Sequence, residues 1–289
     1  MKLIQSISTR TWASGFRTVV CGSGGCSQRL SERQLANRRV GVMMGEQWYC
    51  SYRCFVSAAE KQFAQLLAQG STSSNHLPRM PIALQVLRRG WLSNEQFKTA
   101  TEEQRKTCDE MGEVLVRLGY VSEQQITAVR AAQWGRPIFS VPAPTLTAGV
   151  YVPLALIHAF AMVPVHYVAA SSQLLVGFVQ AIEYGVLCSL EEVNGCTAQP
   201  CFISVSDYHA QVQAQAKQSI AEELKFDDVH SSTDMARIVC SYGVLINANR
   251  VVIVRCKEYV WVRLKSAVKA VDILFKPGGT RQSDLLDTP

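Results

Sequence analysis

The residues best suited to chemistry are four cysteines near the start of the chain. Cys21 and Cys26 bracket a Gly-Ser-Gly-Gly turn, and Cys50 and Cys54 follow about two dozen residues later. Zinc takes four soft ligands at tetrahedral angles, and two close cysteine pairs on separate turns supply them. Gly22, Gly24 and Gly25 suit a tight turn that aims backbone amides at thiolate sulfur. Thiolate in all four positions leaves no open coordination site, so the expected zinc is structural rather than catalytic. The competing reading is four buried free thiols in a small core, which about 50 residues bury poorly without a staple.

Other candidate residues carry less. His158 and His166 flank an apolar strand and are expected to pack there. Glu191-Glu192 and Asp227-Asp228 are adjacent in sequence, so their carboxylates splay to different faces. Cys188, Cys196, Cys201, Cys240 and Cys256 lack metal-like spacing and fall mostly in apolar runs, where cysteine acts as a small hydrophobe. The phosphate-cradling pattern Gly-x-x-x-x-Gly-Lys-Ser/Thr occurs nowhere, so ATP hydrolysis is not expected and the chain reads as non-enzymatic. Tyr259, Trp261 and Arg263 share one strand face, either as an exposed aromatic-basic stripe or as a buried surface.

Composition bounds the elements that must position these groups. The 289 residues suffice for two or three modules, and 18% charged with 48% hydrophobic residues describes a folded chain. The net charge of +6 is modest and spread along the sequence, which argues against nucleic acid as a partner. No apolar run reaches the roughly 18 residues that span a bilayer. The first 18 residues hold Lys2, Arg10 and Arg17 without the apolar core of a signal peptide. These features lead to the expectation of a cytoplasmic protein without a transmembrane segment, whose cysteines serve as thiols or metal ligands rather than disulfides.

The expected fold class is α+β multi-domain. After a tail over 1–18, residues 19–69 form the four-cysteine module, with a strand over 39–44, a turn at Gly45-Glu46 and an amphipathic helix over 57–68. Residues 70–78 are polar and rich in turn formers and read as a linker. Residues 79–145 hold an internal duplication: sliding 82–104 forward by about 29 positions lands it on 111–133. Arg88 meets Arg117, Gly90 meets Gly119, Ser93 meets Ser122, Gln96 meets Gln125 and Gln104 meets Gln133. Each copy reads as a helix closed by glycine, an apolar pair, and a second helix opened by a serine with glutamine at capping-box spacing. Residues 146–219 alternate short strands and helices as a small α/β domain packed with the repeat, 220–276 form a C-terminal α/β domain, and 277–289 a disordered tail.

Two resemblances follow. Tyr49-Cys50-Ser51 and Cys54-Phe55 at the opening of a helix, after a knuckle and hairpin, resemble a treble-clef zinc finger. The doubled Gly-centred repeat, followed by the Val-Pro-Val strand at 163–165 and the Leu-Leu-Val-Gly strand at 174–177, resembles the N-terminal, MshEN-type domain of type II secretion and type IV pilus assembly ATPases. The likeness covers roughly 77–215, and the order of elements over 235–274 is similar to the small, PAS-like domain that precedes the motor in those ATPases.

That resemblance implies a motorless relative acting as an adaptor through protein-protein contacts, with components of an inner-membrane secretion or pilus platform as partners. It also implies an alternative, a cyclic di-GMP sensor. In that family each copy begins Arg-Leu-Gly, and the contacts come from the arginine, repeat leucines and the closing glutamine. Here the positions implied for ligand binding are Leu84, Leu87, Gly90, Gln104, Gly112, Leu115, Gly119 and Gln133. The arginine positions carry Pro81 and Glu110, and Ala83 replaces the first copy's glycine. A glutamate beside an anionic phosphate should repel it. A third, weaker reading is a nucleic-acid-binding regulator using the finger with Arg29, Arg33, Arg38 and Arg39.

Overall fold

The computed structural model describes residues 18–31, 41–69, 79–140, 150–217 and 222–277. The linker over 70–78, both tails and Arg33, Arg38 and Arg39 lie outside them. The four-cysteine module opens with β1 (Thr18–Val20) and β2 (Arg29–Ser31), an antiparallel pair joined through the cysteine turn. β3 (Val42–Met44) and β4 (Gln47–Tyr49) form the expected hairpin, with Gly45 at φ +60° at its turn. α1 (Tyr52–Ala68) begins five residues before the expected start because Ser51 caps it, its hydroxyl accepting from the Cys54 amide at 3.4 Å.

The duplication folds as two helical hairpins: α2 (Ile82–Arg88) with α3 (Asn94–Thr107), and α4 (Met111–Arg117) with α5 (Glu123–Trp134). Both capping boxes form. Gln96 N–H donates to Ser93 Oγ at 3.1 Å and Ser93 N–H to Gln96 Oε1 at 2.9 Å, with the counterparts at Ser122 and Gln125 at 3.2 and 2.8 Å. Gly90 (φ +71°) and Gly119 (φ +69°) end the first helix of each copy. The next amides, of Trp91 and Tyr120, reach back to Val86 O and Leu115 O at 3.2 and 3.0 Å, which is the Schellman closure. Ala83, Val86, Leu92, Ala100, Val114, Leu115, Val121, Ile126 and Val129 form a core of their own.

The middle module contains α6 (Leu154–Ala159), β5 (Met162–Val168), β6 (Gln173–Phe178), α7 (Tyr184–Asn194), β7 (Thr197–Phe202) and α8 (Val205–Lys217). Its sheet runs β5-β6-β7, with β6 and β7 parallel through the crossover helix α7. Gly177 is required in β6: a Cβ there would lie 2.8 Å from Ile203 Cδ1 and Cγ2.

The C-terminal module adds β8 (Glu222–Phe226), α9 (Ser232–Ile246), β9 (Arg250–Cys256), β10 (Tyr259–Lys265) and β11 (Ala270–Phe275). Here the four-cysteine module, which the sequence sets apart by a linker, joins the C-terminal strands. One six-stranded sheet runs β4-β3-β9-β10-β11-β8, with β3 parallel to β9 and Met43 opposite Arg250. The finger hairpin completes the edge of the C-terminal sheet, and the Met43 amide donates to Asn249 O at 2.8 Å.

Both faces of this sheet are covered. Val251, Ile253, Val260, Val262, Leu264, Val271, Ile273 and Phe275 share a core with Trp48, Phe55 and Phe63 of the finger and Met235 and Val239 of α9. Val252, Val254, Cys256, Tyr259, Trp261 and Leu274 join the middle module's core. The alternation in β10 is real, but it marks two buried faces rather than one buried and one wet. Tyr259, Trp261 and Arg263 therefore form an interior surface, not an exposed stripe; they are 6%, 0% and 3% exposed.

Polar contacts fix these faces together. The Tyr52 hydroxyl lies 2.7 Å from Gly243 O and 2.6 Å from Ala248 O, and Gln62 Nε2 donates to Ile253 O at 3.1 Å. On the other face Arg263 Nε and Nη2 donate to the two oxygens of Asp272 at 2.8 and 2.9 Å. Arg263 also donates to Asn194 Oδ1 and Tyr151 O, both at 2.8 Å, while Trp261 Nε1 donates to Asp272 Oδ1 at 2.7 Å. This satisfied polar network joins the sheet to the middle module.

Candidate metal centre

The four cysteines converge although the first and last are 33 positions apart. Cys21 and Cys26 sit on the turn between β1 and β2, Cys50 follows β4, and Cys54 lies in the first turn of α1. All four Sγ atoms lie within 4.8 Å of one another, with Cys26–Cys50 at 3.6 Å and Cys50–Cys54 at 3.7 Å. A tetrahedron with the usual Zn–S arm of about 2.3 Å has edges of roughly 3.8 Å, close to these two separations. This cluster fits a zinc finger.

The surroundings suit thiolates. The Cys50 amide points at Cys21 Sγ, 3.5 Å away. Burial disfavours the Cys21 thiolate, but hydrogen bonds from the Cys50 and Ser23 backbone and the neighbouring thiols outweigh it and lower its pKa to about 7. Burial, reinforced by the thiols of Cys26, Cys54 and Cys21, pushes Cys50 up to about 12. Four close thiols share limited stabilisation and cannot all ionise without a cation between them, which a divalent metal supplies. Cys54 also stands at a helix N-terminus, whose free amides favour negative charge. Of the three glycines, only Gly22 is crowded, since a Cβ there would lie 2.2 Å from Gln47 Cγ. Gly24 and Gly25 meet open space, and neither lies in the left-handed region.

The remaining cysteines form no second cluster among the described residues. Burial pushes Cys201 and Cys256 up to about 12 and raises Cys196 and Cys240, as expected of packed thiols.

The residues that the sequence nominates for a nucleotide lie along both copies of the repeat. Leu115 and Gly112 are buried inside the repeat, Leu87 is half-buried and Leu84 is 42% exposed on the outer face of α2. Gly90 and Gly119 close helices. Both glutamines spend their amides on backbone: Gln104 Nε2 donates to Asp109 O at 3.2 Å, and Gln133 Nε2 donates to Met80 O.

Glu110, at the position where the resemblance places an arginine, has a different task. Its Oε2 accepts from the Gly112 amide at 3.1 Å, capping α4, and from Arg130 Nη2 at 2.5 Å. Arg130 is 4% exposed, and its Nη1 donates to Val179 O at 2.8 Å, tying the repeat to the middle module. Gly112 is needed beside this pair, because a Cβ would lie 2.8 Å from Glu110 Oε2 and 3.1 Å from Arg130 Nη2. Sequence reasoning missed Arg130. The signal was available: Glu110 and Arg130 fall on Pro81 and Thr101 of the first copy, so both halves of the pair are peculiar to the second.

No family model matches the sequence, and no curated protein matches it either. Among solved structures the chain is similar to MshE and to the N-terminal domain of XpsE. A structure described as MshE with cdg matches at 16% identity and TM-score 0.39, over 47% of this chain and 99% of that one. Two crystal forms of the XpsE N-terminal domain match at 16% and 18% identity, with TM-scores of 0.35 and 0.28. They cover 46% and 48% of this chain and 92% and 98% of theirs. No described helix is long and apolar enough to cross a membrane.

Proposed function

We propose that this chain acts as a non-enzymatic, cytoplasmic adaptor, a relative of secretion and pilus assembly ATPase N-terminal regions, braced by a structural zinc site. Its partners are components of an inner-membrane platform. The observation that carries this reading over the sensor is the Glu110–Arg130 pair, 2.5 Å apart. A carboxylate stands where a phosphate-binding arginine would be needed, and the nearest buried guanidinium is consumed by it. The closing glutamines support the same reading, since their amides are already engaged. A closed tetrathiolate has no vacant position for substrate or water, which suits architecture rather than catalysis.

The test has two arms. Isothermal titration of the full chain with cyclic di-GMP should give a flat trace at high micromolar ligand. Size-exclusion with purified cytoplasmic domains of the platform proteins should yield a stable complex. A saturable cyclic di-GMP isotherm that is lost in Gln104→Ala/Gln133→Ala, with no complex, would overturn the adaptor reading in favour of the sensor.

A further inference from the structure

One surface away from the metal centre carries cations without counter-charges among the described residues. It lies where the end of α5 meets the segment leading into α2 and the start of α7. Arg79 lays its guanidinium over the Trp134 ring at 3.2 Å, Trp134 lies 6.4 Å from Tyr184, and Arg136 sits 5.9 Å from the Tyr184 ring. Arg136 Nη2 also donates to the Tyr184 hydroxyl at 3.2 Å. The Gln133 amide on Met80 O holds the Arg79 segment against the end of α5, so the arrangement is prepared rather than improvised. Met80, Ile138 and Tyr184, at 46%, 48% and 44% exposed, surround the two arginines with apolar surface.

Neither guanidinium has a carboxylate partner among the described residues. The nearby Glu183 is engaged by Lys257 at 2.6 Å. The flanking stretches 70–78 and 141–149 contain no Asp or Glu, so neither can supply the missing charge. A guanidinium stacked on a ring keeps its N–H edge free, and that edge matches a carboxylate in two parallel hydrogen bonds. The stacking of Arg79 argues against a nucleobase on Trp134, because the guanidinium already lies over that ring.

We propose that this patch docks an acidic, partly apolar segment of a partner protein, its carboxylates on Arg79 and Arg136 and its aliphatic side chains on Met80 and Ile138. The inference rests on the adaptor reading and names the chemistry of the partner.

The experiment titrates the full chain with a capped ten-residue peptide alternating glutamate and leucine. Its comparators are the glutamine-leucine peptide, cyclic di-GMP, and vesicles containing phosphatidylserine. The acidic peptide should bind and the neutral one should not. Binding should weaken about ten-fold, ~1.4 kcal/mol, in Arg79→Gln/Arg136→Gln. It should hold within about two-fold in Arg88→Gln/Arg89→Gln, which removes the same net charge from exposed positions on the same module. Arg79→Lys/Arg136→Lys should recover little, because the fork is lost while the charge stays. Absence of binding at millimolar peptide, equal losses in both glutamine variants, or vesicle binding that alone depends on Arg79 and Arg136 would each overturn the proposal. The platform complex separates the two claims. If it forms and ignores Arg79→Gln/Arg136→Gln, the adaptor stands and this surface falls; if the peptide binds with no platform complex, the reverse holds.

Discussion

Replacing Cys50 with serine should damage far more than the finger. Cys50 is central to the cluster, with sulfur neighbours at 3.6 and 3.7 Å, and its loss leaves three thiolates for the metal. Structural zinc contributes on the order of 10–16 kcal/mol to the fold of isolated fingers, so a finger short of a ligand melts readily. Melting withdraws Trp48, Phe55 and Phe63, which are 1%, 0% and 0% exposed, from the core they share with β9, β10 and β11. At about 1.5–3 kcal/mol per large apolar side chain, the three contribute roughly 5–9 kcal/mol together. A domain of this kind is stable by only about 5–15 kcal/mol. The C-terminal sheet should therefore open with the finger, while α2 to α5, which have a separate core, keep theirs. Hydrogen exchange read by mass spectrometry follows this directly. The expected result is loss of protection over 42–69 and 250–275 together, with 82–134 unchanged. Protection of 250–275 at the wild-type level while 42–69 exchanges freely would refute the shared-core argument.

Three further outcomes follow from particular contacts. Asp272→Asn leaves Arg263 buried and without its charge partner, which should cost about 3–5 kcal/mol in denaturant titration; less than about 1 kcal/mol would contradict the role of the pair. Gly177→Ala presses a methyl onto Ile203 and should cost about 1–3 kcal/mol, with the melting temperature lowered and the fold kept; an unchanged melting temperature would contradict that crowding. The hydrogen bond from Arg117, 2.5 Å away, holds the Asp109 carboxyl below its ordinary range. Its contribution is therefore present above the unfolded carboxylate pKa and is lost as pH falls through the lower folded value. NMR titration should show Asp109 moving upward toward the ordinary range in Arg117→Gln, and no movement would contradict the assignment.

Local features were legible in the sequence. The cysteine pairs, the hairpin at Gly45, both capping boxes and the two glycine closures depend on residues only a few positions apart, and they form as their spacing predicts. The pairing of β3 with β9 was not legible. It joins Met43 to Arg250 across about two hundred residues, and three-residue strands carry too little pattern to name a partner. The burial of Tyr259, Trp261 and Arg263 was ambiguous for a related reason, since strand alternation says which residues share a face but not what covers it. The nucleotide positions were legible as repeat positions only. Whether Gln104 and Gln133 turn toward a ligand or toward backbone depends on Asp109 O and Met80 O, which no spacing rule specifies.

Four cysteine sulfurs beside the edge of the six-stranded sheet are placed to hold one zinc ion. Metal analysis with zinc-edge X-ray absorption on the purified full chain tests it in one measurement. The prediction is about one zinc per chain in a shell of four sulfurs at about 2.3 Å, abolished by Cys21→Ser/Cys54→Ser. Protein that purifies folded without zinc, or zinc with nitrogen or oxygen replacing any of the four sulfurs, would contradict it.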